Sequence, residues 1–433
     1  MISWSLGSRV SVRYALGVAA AAACLTPAFA AGPAGQAKPS PDKRAIERDA
    51  QERAKVVPVV RVVDAMMAGE VETPDDGRAS VTWTGHDGQT SRMDLASPVD
   101  LSWRNHFLKA DKKRTYVPFS VTVDAKKLPS TSVAAYLRVV PRGDRPDVPR
   151  ASGNASFAFE DYYVTELRSV VTAPPPPIGA AAPPPPVVAT PVVKTGPQEV
   201  RLTRAFAVPA GDYDVYVGFY PRMSMLGAIA DTPEKGGVAA TGAQPPKTPP
   251  VKDDKNGPTG TLTAYVLHQV LSVPDFWTDE LTTSSIVVAD RLDALAVPPP
   301  VDAQRERPYI VGAAELVPAA DNQLKKTEQL TVFFQIYNPV LDDNRKPDVS
   351  VDYVFERNEA GEEKTFNRIP AQSFNARTLP LNFDISAGHQ LSAGWSVPLS
   401  SFPVGDYRLA ITVTDKKSGR QISRDVQFTV VGT

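Results

Sequence analysis

Side chains able to perform catalysis or bind metals are few and scattered in this sequence. The four histidines are His86, His106, His268 and His389, and none has a second histidine or a cysteine at the spacing of metal ligands. The sequence also lacks a phosphate-binding Gly-Lys-Ser/Thr loop, a His-Glu-x-x-His helix and a Gly-x-Ser-x-Gly nucleophile elbow. We therefore predict that the protein has no metal site, needs no cofactor and is not an enzyme.

Carboxylates are the remaining candidates for chemistry. Acidic runs at residues 253–254, 342–344 and 359–363 lack the regular oxygen spacing of a calcium loop, so we interpret them as solvated turns. Asp279 and Glu280 are adjacent, but the sequence shows no second partner for general acid–base catalysis. A secreted hydrolase with an Asp/Glu site at a sandwich edge stays open as an alternative, and it would require a cleft that gathers two or more carboxylates.

Aromatic residues are the better candidates for binding. Phe276 and Trp277 follow Pro274 and Asp275 in a predicted loop. Exposed aromatic rings act as recognition anchors and stack on sugars. We therefore predict Phe276 and Trp277 as a binding site, against the alternative that Trp277 closes one end of a sandwich core.

The elements that would position these residues are indicated by a repeated phrase. Residues 208–217 and 402–411 both carry Pro-x-Gly-Asp-Tyr followed by alternating apolar residues. Pro and Gly form a turn, and the alternation predicts a strand. A tyrosine just inside such a strand is typical of the tyrosine corner of Greek-key sandwiches. We predict Tyr213 and Tyr407 as structural corner residues, and the repeat favours tandem duplication.

The N-terminus has the features of an export signal. Arg9 and Arg13 precede an apolar stretch at residues 14–25, and Ala28-Phe29-Ala30 provides a cleavage site. The only cysteine, Cys24, lies in this segment, so no disulfide is expected after processing. Lipidation of Cys24 is the less favoured alternative, because the first position of the lipoprotein cleavage site lacks a large aliphatic residue. No later segment is apolar for long enough to span a bilayer.

Composition limits the possible partners and marks the domain boundaries. The 47 basic and 48 acidic residues nearly cancel, which argues against nucleic acid as a partner. The 42 prolines cluster in predicted loops and linkers. We predict a signal peptide at 1–30, a disordered or helical tether at 31–57, and a short helix and hairpin at 58–98. A first sandwich at 99–297, with Pro-rich insertions at 173–197 and 226–259, precedes a linker at 298–307 and a second sandwich at 308–433.

Several segments carry a family resemblance. They are residues 63–69 (VDAMMAG), 116–119 (YVPF), 284–290 (SSIVVAD) and 403–409 (PVGDYRL). Together they resemble uncharacterised exported proteins of acidobacterial type, whose similar stretches follow von Willebrand factor A-like domains in some relatives. This chain has no Asp-x-Ser-x-Ser metal-adhesion motif. The resemblance implies sandwich architecture and an envelope location, and it implies no metal site.

These observations predict an all-β chain of two tandem Ig-like, Greek-key antiparallel β-sandwiches with a short N-terminal helical segment and disordered Pro-rich loops. The expected function is non-catalytic interaction with an envelope or extracellular protein or glycan, in the periplasm or outside the cell. A structural subunit that assembles by strand addition is a further alternative, and it would need an exposed, unpaired edge strand.

Overall fold

The computed structural model describes residues 43–73, 79–84, 90–148, 157–169, 199–222, 262–295, 297, 306–311, 314–359 and 361–432. The predicted signal peptide, the first part of the tether and the two Pro-rich insertions lie outside the described residues. Within the described part of the chain, no helix is both long enough and apolar enough to cross a membrane.

The described residues form one α-helix and 22 strands, with 3-10 turns at Pro98–Asp100, Ala125–Lys127 and Ile385–Ala387. The helix is α1 (Lys43–Ala68), and the first strands are β1 (Ser80–Thr84), β2 (Thr90–Leu95), β3 (Leu101–Asn105), β4 (Leu108–Lys109), β5 (Thr115–Asp124), β6 (Ser132–Pro141), β7 (Phe159–Glu166), β8 (Arg168–Ser169), β9 (Glu199–Val208), β10 (Gly211–Pro221) and β11 (Leu262–Val273). The remaining strands are β12 (Thr282–Thr283), β13 (Val287–Ala294), β14 (Ile310–Val311), β15 (Ala314–Pro318), β16 (Gln323–Lys325), β17 (Gln329–Tyr337), β18 (Val349–Glu359), β19 (Glu362–Phe374), β20 (Leu391–Pro398), β21 (Gly405–Asp415) and β22 (Gln421–Val431).

The strands form two sandwiches, which confirms the predicted fold class. In the first sandwich, a sheet of order β1-β2-β11-β10-β6-β7 faces a sheet of order β3-β5-β9-β8, and one apolar core lies between them. In the second, a sheet of order β12-β17-β13-β15-β14, with β20 also on β17, faces a sheet of order β16-β22-β21-β18-β19 around another core. Pairing is antiparallel except between β2 and β11 and between β16 and β22.

The two sandwiches repeat one topology. The first sandwich contains the pairs β5–β9, β7–β6, β6–β10 and β10–β11. The second contains the matching pairs β17–β20, β19–β18, β18–β21 and β21–β22 in the same order along the chain. In each copy the Gly-Asp-Tyr strand is central in its sheet. The corner tyrosines have the same geometry, since the Tyr213 hydroxyl donates to the Pro209 carbonyl at 2.8 Å and the Tyr407 hydroxyl donates to the Pro403 carbonyl at 2.7 Å.

The glycine of each corner is required by the backbone. Gly211 has φ of 137° and Gly405 has φ of 148°, a region that side-chain-bearing residues rarely adopt. The turn before each corner strand therefore depends on glycine as well as on proline.

The boundary between the sandwiches differs from the prediction. Residues 284–289 were predicted to belong to the first sandwich, but β13 pairs with β17 and β15 of the second. The junction is therefore the loop at residues 274–281. The predicted linker at 298–307 falls in the sequence between β13 and β14, both of which belong to the second sandwich, and of its residues the structure describes only 306 and 307. The prediction was wrong here because a strand's sequence pattern shows that it pairs, but it does not show which sheet receives it.

Helix α1 is longer than predicted, and it covers the outer face of the first sandwich. Its buried stripe is Val56, Val59, Val62 and Val63, and this stripe packs on outward-facing residues of β6 and β11. The helix ends at Ala68, and the next residue, Gly69, donates its N–H to the Met66 carbonyl while the Glu70 N–H donates to the Ala65 carbonyl. A charged contact, Arg138 Nη1 to Asp64 Oδ1 at 2.6 Å, also joins β6 to the helix.

Candidate binding site

A cleft of about 520 Å³ lies where the two sandwiches meet. Its lining residues come from four parts of the chain that are distant in sequence. They are Arg104, His106 and Phe107; Pro274, Phe276, Thr282, Thr283, Ser284, Ser285, Ile286 and Val288; Asn322; and Arg424, Asp425, Val426 and Gln427. Hydroxyls, amides and guanidinium groups are thus combined with a smaller apolar wall, so the lining is more polar than that of a typical small-molecule pocket.

Direct hydrogen bonds between the sandwiches hold the walls of the cleft in place. The Phe107 N–H donates to Ser285 Oγ, and the Ser285 N–H donates to the Phe107 carbonyl, both at 2.9 Å. The Lys109 N–H donates to the Tyr337 hydroxyl at 2.9 Å. Because these bonds involve backbone groups on both sides, the relative position of the two walls is fixed more firmly than a single flexible linker would allow.

His106 is a buried structural residue of this junction. Its Nδ1 lies 2.9 Å from the Tyr309 hydroxyl, and that hydroxyl also lies 3.4 Å from the Pro118 carbonyl. Burial, with a smaller contribution from the positive charge of Arg104, lowers the pKa of His106 to about 4. The imidazole is therefore neutral near pH 7, which suits a hydrogen-bonding role between the domains.

Two arginines give the cleft its charge. Arg104 Nη1 donates to Asn322 Oδ1 at 3.2 Å, and Asn322 Nδ2 donates to the Gln427 carbonyl at 2.8 Å. Arg424 lies on the same face of β22 as the buried Val426 and Phe428, but its side chain is exposed, and it lines the cleft beyond the end of the core. Asp425 is the one carboxylate among the lining residues.

Phe276 does not form the exposed anchor that was predicted. Its side chain is 3% exposed, and its ring centroid lies 5.0 Å from that of Tyr337. Phe276 instead forms part of the cleft wall, because the loop that carries it runs between the sandwiches and turns the ring inwards.

Trp277 is 41% exposed and does not close the end of either core. Its indole N–H donates to the Arg114 carbonyl at 3.2 Å, and the Lys109 ammonium lies 4.4 Å from its ring centroid. Burial lowers the pKa of Lys109, and the Asp275 carboxylate partly opposes that shift. Trp277 therefore connects the junction loop to the first sandwich, outside the cleft lining.

The other predicted candidates are not brought together. His268 Nε2 lies 2.8 Å from Asp214 Oδ1 on an outward sheet face, while His86 lies outside the described residues. Asp279 and Glu280 lie on the junction loop, where their carbonyls accept bonds from Arg420 and Asn338. Among the residues that the structure describes, no three His, Cys, Asp or Glu side chains are grouped closely enough to hold a metal ion.

Sequence reasoning missed Arg104 and Arg424. One signal was available, because Arg424 interrupts the apolar alternation of Ile422, Val426, Phe428 and Val430 in the last strand. A charge at a core-facing position indicates either an open end of the core or a device that protects an edge strand.

No family model matches this sequence, and no curated protein matches it. Among solved structures, the chain is similar to the alpha-2-macroglobulin of Escherichia coli activated by porcine elastase, with 9% sequence identity and a TM-score of 0.20. The match covers 82% of this chain and 26% of that one, so this chain spans about a quarter of that protein's length. At this TM-score the two structures do not superpose as wholes, and the fold is defined by the sheets described above.

Proposed function

We propose that this protein is an exported, non-catalytic envelope protein that recognises a partner protein or glycan in the cleft between its two Ig-like sandwiches. The observation that carries the proposal is the cleft itself, with its volume of about 520 Å³ at a domain junction and its mixed apolar and hydrogen-bonding wall. Ligand sites have volumes in this range and occur preferentially where domains meet, and the polar lining favours a partner that forms hydrogen bonds.

The chemistry of the lining favours binding over catalysis. A glycosidase-type or acid–base hydrolase uses two carboxylates in one cleft, and among the described residues Asp425 is the one carboxylate that lines this cleft. His106 is held neutral and is already bonded to Tyr309, so its Nδ1 is not free to act on a substrate. Arg104 and Arg424 have N–H groups beyond those used by Asn322 and by the Ser423 carbonyl, and these remain for a ligand.

The rigid junction also supports a recognition role. The hydrogen bonds between Phe107 and Ser285 join the two walls of the cleft, so the walls are already in position before a ligand arrives. A preorganised site loses less conformational entropy on binding than a flexible one, so the same contacts give a higher affinity.

The test is affinity capture with the mature protein, from residue 31 onwards, tagged at its C-terminus. Envelope extract is cross-linked to the wild type, to Arg424→Glu in the cleft and to Arg377→Ala at an exposed turn of the same sandwich. We expect a species retained by the wild type and by Arg377→Ala but lost with Arg424→Glu. Equal retention by all three proteins would show that the cleft is not the binding site. Export is tested separately, by sequencing the N-terminus of the protein recovered from the envelope fraction, which should begin at Ala31.

A further inference from the structure

The last strand, β22, has a partly free edge that faces the cleft. On one side β22 pairs with β21 at residues 421–430, but on its outer side it pairs with β16 only at residues 429–431. Within the described part of the chain, residues 421–427 therefore have no strand on their outer side. At about 3.3 Å per residue, this free edge is roughly 20 Å long.

The hydrogen bonds at the end of β22 show which backbone groups point outwards. The Thr429 N–H donates outwards to the Asn322 carbonyl at 2.9 Å. Along an antiparallel strand, the backbone N–H and C=O of successive residues point alternately to one side and the other. The N–H and C=O groups of Gln427, Asp425 and Ser423 therefore also point away from β21. Side chains occupy two of these carbonyls, since Asn322 donates to that of Gln427 and Arg424 donates to that of Ser423. The three N–H groups and the Asp425 carbonyl remain for a partner.

The space and charge beside this edge suit an acidic partner. The cleft adjoins residues 424–427, and Arg104 and Arg424 outnumber Asp425 in its lining.

We propose that the cleft binds an extended acidic segment of a partner protein, which adds a strand to the outer edge of β22. This inference rests on the proposed binding function and specifies its ligand class. A row of outward N–H groups recognises a peptide backbone, and the two guanidinium groups recognise Asp or Glu side chains of the same segment. A glycan would instead need an exposed ring to stack on, and the Phe276 ring in this wall is buried.

Two other edges are less suited to strand addition. The outer edge of β19 carries Glu362, Glu363 and Lys364, includes Pro370, and pairs with β18 through two register shifts, all of which hinder a further strand. The edge of β11 corresponds to that of β22 in the repeated topology, and it is paired with β2 only at residues 262–264. No lining residue of the cleft comes from β11.

The experiment selects peptides from a random twelve-residue phage display library against the mature protein. Binding of the enriched peptides is then measured by fluorescence polarisation for the wild type and three variants. Asp425→Pro removes the central outward N–H without removing a bond to β21, and Val270→Pro makes the matched change at the corresponding edge of β11. Arg424→Glu reverses the charge in the cleft. Thermal melts establish that each variant is folded.

We expect enriched peptides that carry Asp or Glu among alternating apolar residues. Asp425→Pro and Arg424→Glu should each weaken binding at least about tenfold, in line with the loss of one charge-assisted or backbone hydrogen bond, while Val270→Pro leaves it unchanged. If Arg424→Glu weakens binding and a folded Asp425→Pro does not, the cleft is a binding site and strand addition is wrong. If neither weakens it, or if only glycans bind, this inference fails.

A second measurement covers the case in which Asp425→Pro does not fold. N-methylation of the enriched peptide at alternate backbone positions should abolish binding in one register and spare it in the other, because only every second peptide group faces β22. Equal effects in both registers would overturn strand addition.

Discussion

Gly218 lies where Val59 of helix α1 packs on the first sandwich, and its substitution tests how the helix is held. A Cβ atom at Gly218 would lie 2.5 Å from Val59 Cγ2 and 3.3 Å from Val266 Cγ2. Gly218→Ala should therefore cost about 1–3 kcal/mol of unfolding free energy through overpacking, partly offset by about 0.5–1 kcal/mol from the more restricted backbone of alanine. Val59→Ala removes two fully buried methyl groups and should cost about 2 kcal/mol.

The double variant decides between packing and a general effect on the strand. Alanine at position 59 lacks the Cγ2 atom that clashes, so the two costs should not add, and the coupling should be at least about 1 kcal/mol. The assay is urea unfolding followed by circular dichroism, with Gly432→Ala as a control, because a Cβ there meets nothing within 4 Å. Additive costs would refute the reasoning, since they would show that Val59 does not rest on Gly218.

Three further predictions follow from the corners, the junction histidine and the junction loop. Tyr213→Phe and Tyr407→Phe should each lower the unfolding free energy by about 1 kcal/mol, because each removes one hydrogen bond. Tyr407→Ala should lower it by about 3 kcal/mol, because it also empties a buried site. An unchanged denaturant midpoint for Tyr407→Ala would contradict the corner assignment. The pKa of His106 is about 4 in the folded protein and 6.5 as its ordinary value, so its contribution to stability is complete above pH 6.5 and is lost as the pH falls towards 4. In urea titrations over that pH interval, the unfolding free energy of the wild type should fall by about 3 kcal/mol more than that of His106→Gln. Parallel pH profiles for the two proteins would contradict the burial of a neutral imidazole. Trp277→Ala should cost about 1–2 kcal/mol, because it removes the hydrogen bond to Arg114 and the contact with Lys109, and a melting temperature equal to that of the wild type would show that Trp277 does not fasten the loop.

Local patterns were sufficient to predict the sandwiches. The alternation in Leu409, Ile411 and Val413 and the Pro-x-Gly-Asp-Tyr phrase encode a turn, a strand and a corner within ten residues. The turn, the strand and the corner can be predicted from a single sequence because each is determined by residues that are close together in that sequence. The pairing of residues 284–289 with the second sandwich was not predictable in this way, since a strand's partner is set by contacts with residues up to about fifty positions away.

The cleft could not be predicted for a related reason. Its lining residues come from positions 104 to 427, and only the folded chain places Arg104 near Asn322 and Gln427. The sequence directed attention to Phe276 and Trp277 because they are adjacent aromatics in a loop. The structure shows that one ring packs between the domains and the other braces the junction loop, so adjacency in the sequence did not translate into a shared surface.

The position of helix α1 has a consequence for how the chain folds during synthesis. The helix is made before every strand that it covers, and Val59 is separated from Gly218 by about 160 residues. Until β6, β10 and β11 have formed, the valine stripe has no surface to rest on, and until the helix docks, the sheet exposes its outer apolar face. Docking of helix α1 is therefore expected to be a late step in the folding of the first sandwich, because it closes a long loop. Before that step the sheet exposes an apolar face, so this intermediate is the species most exposed to aggregation or to capture by a chaperone.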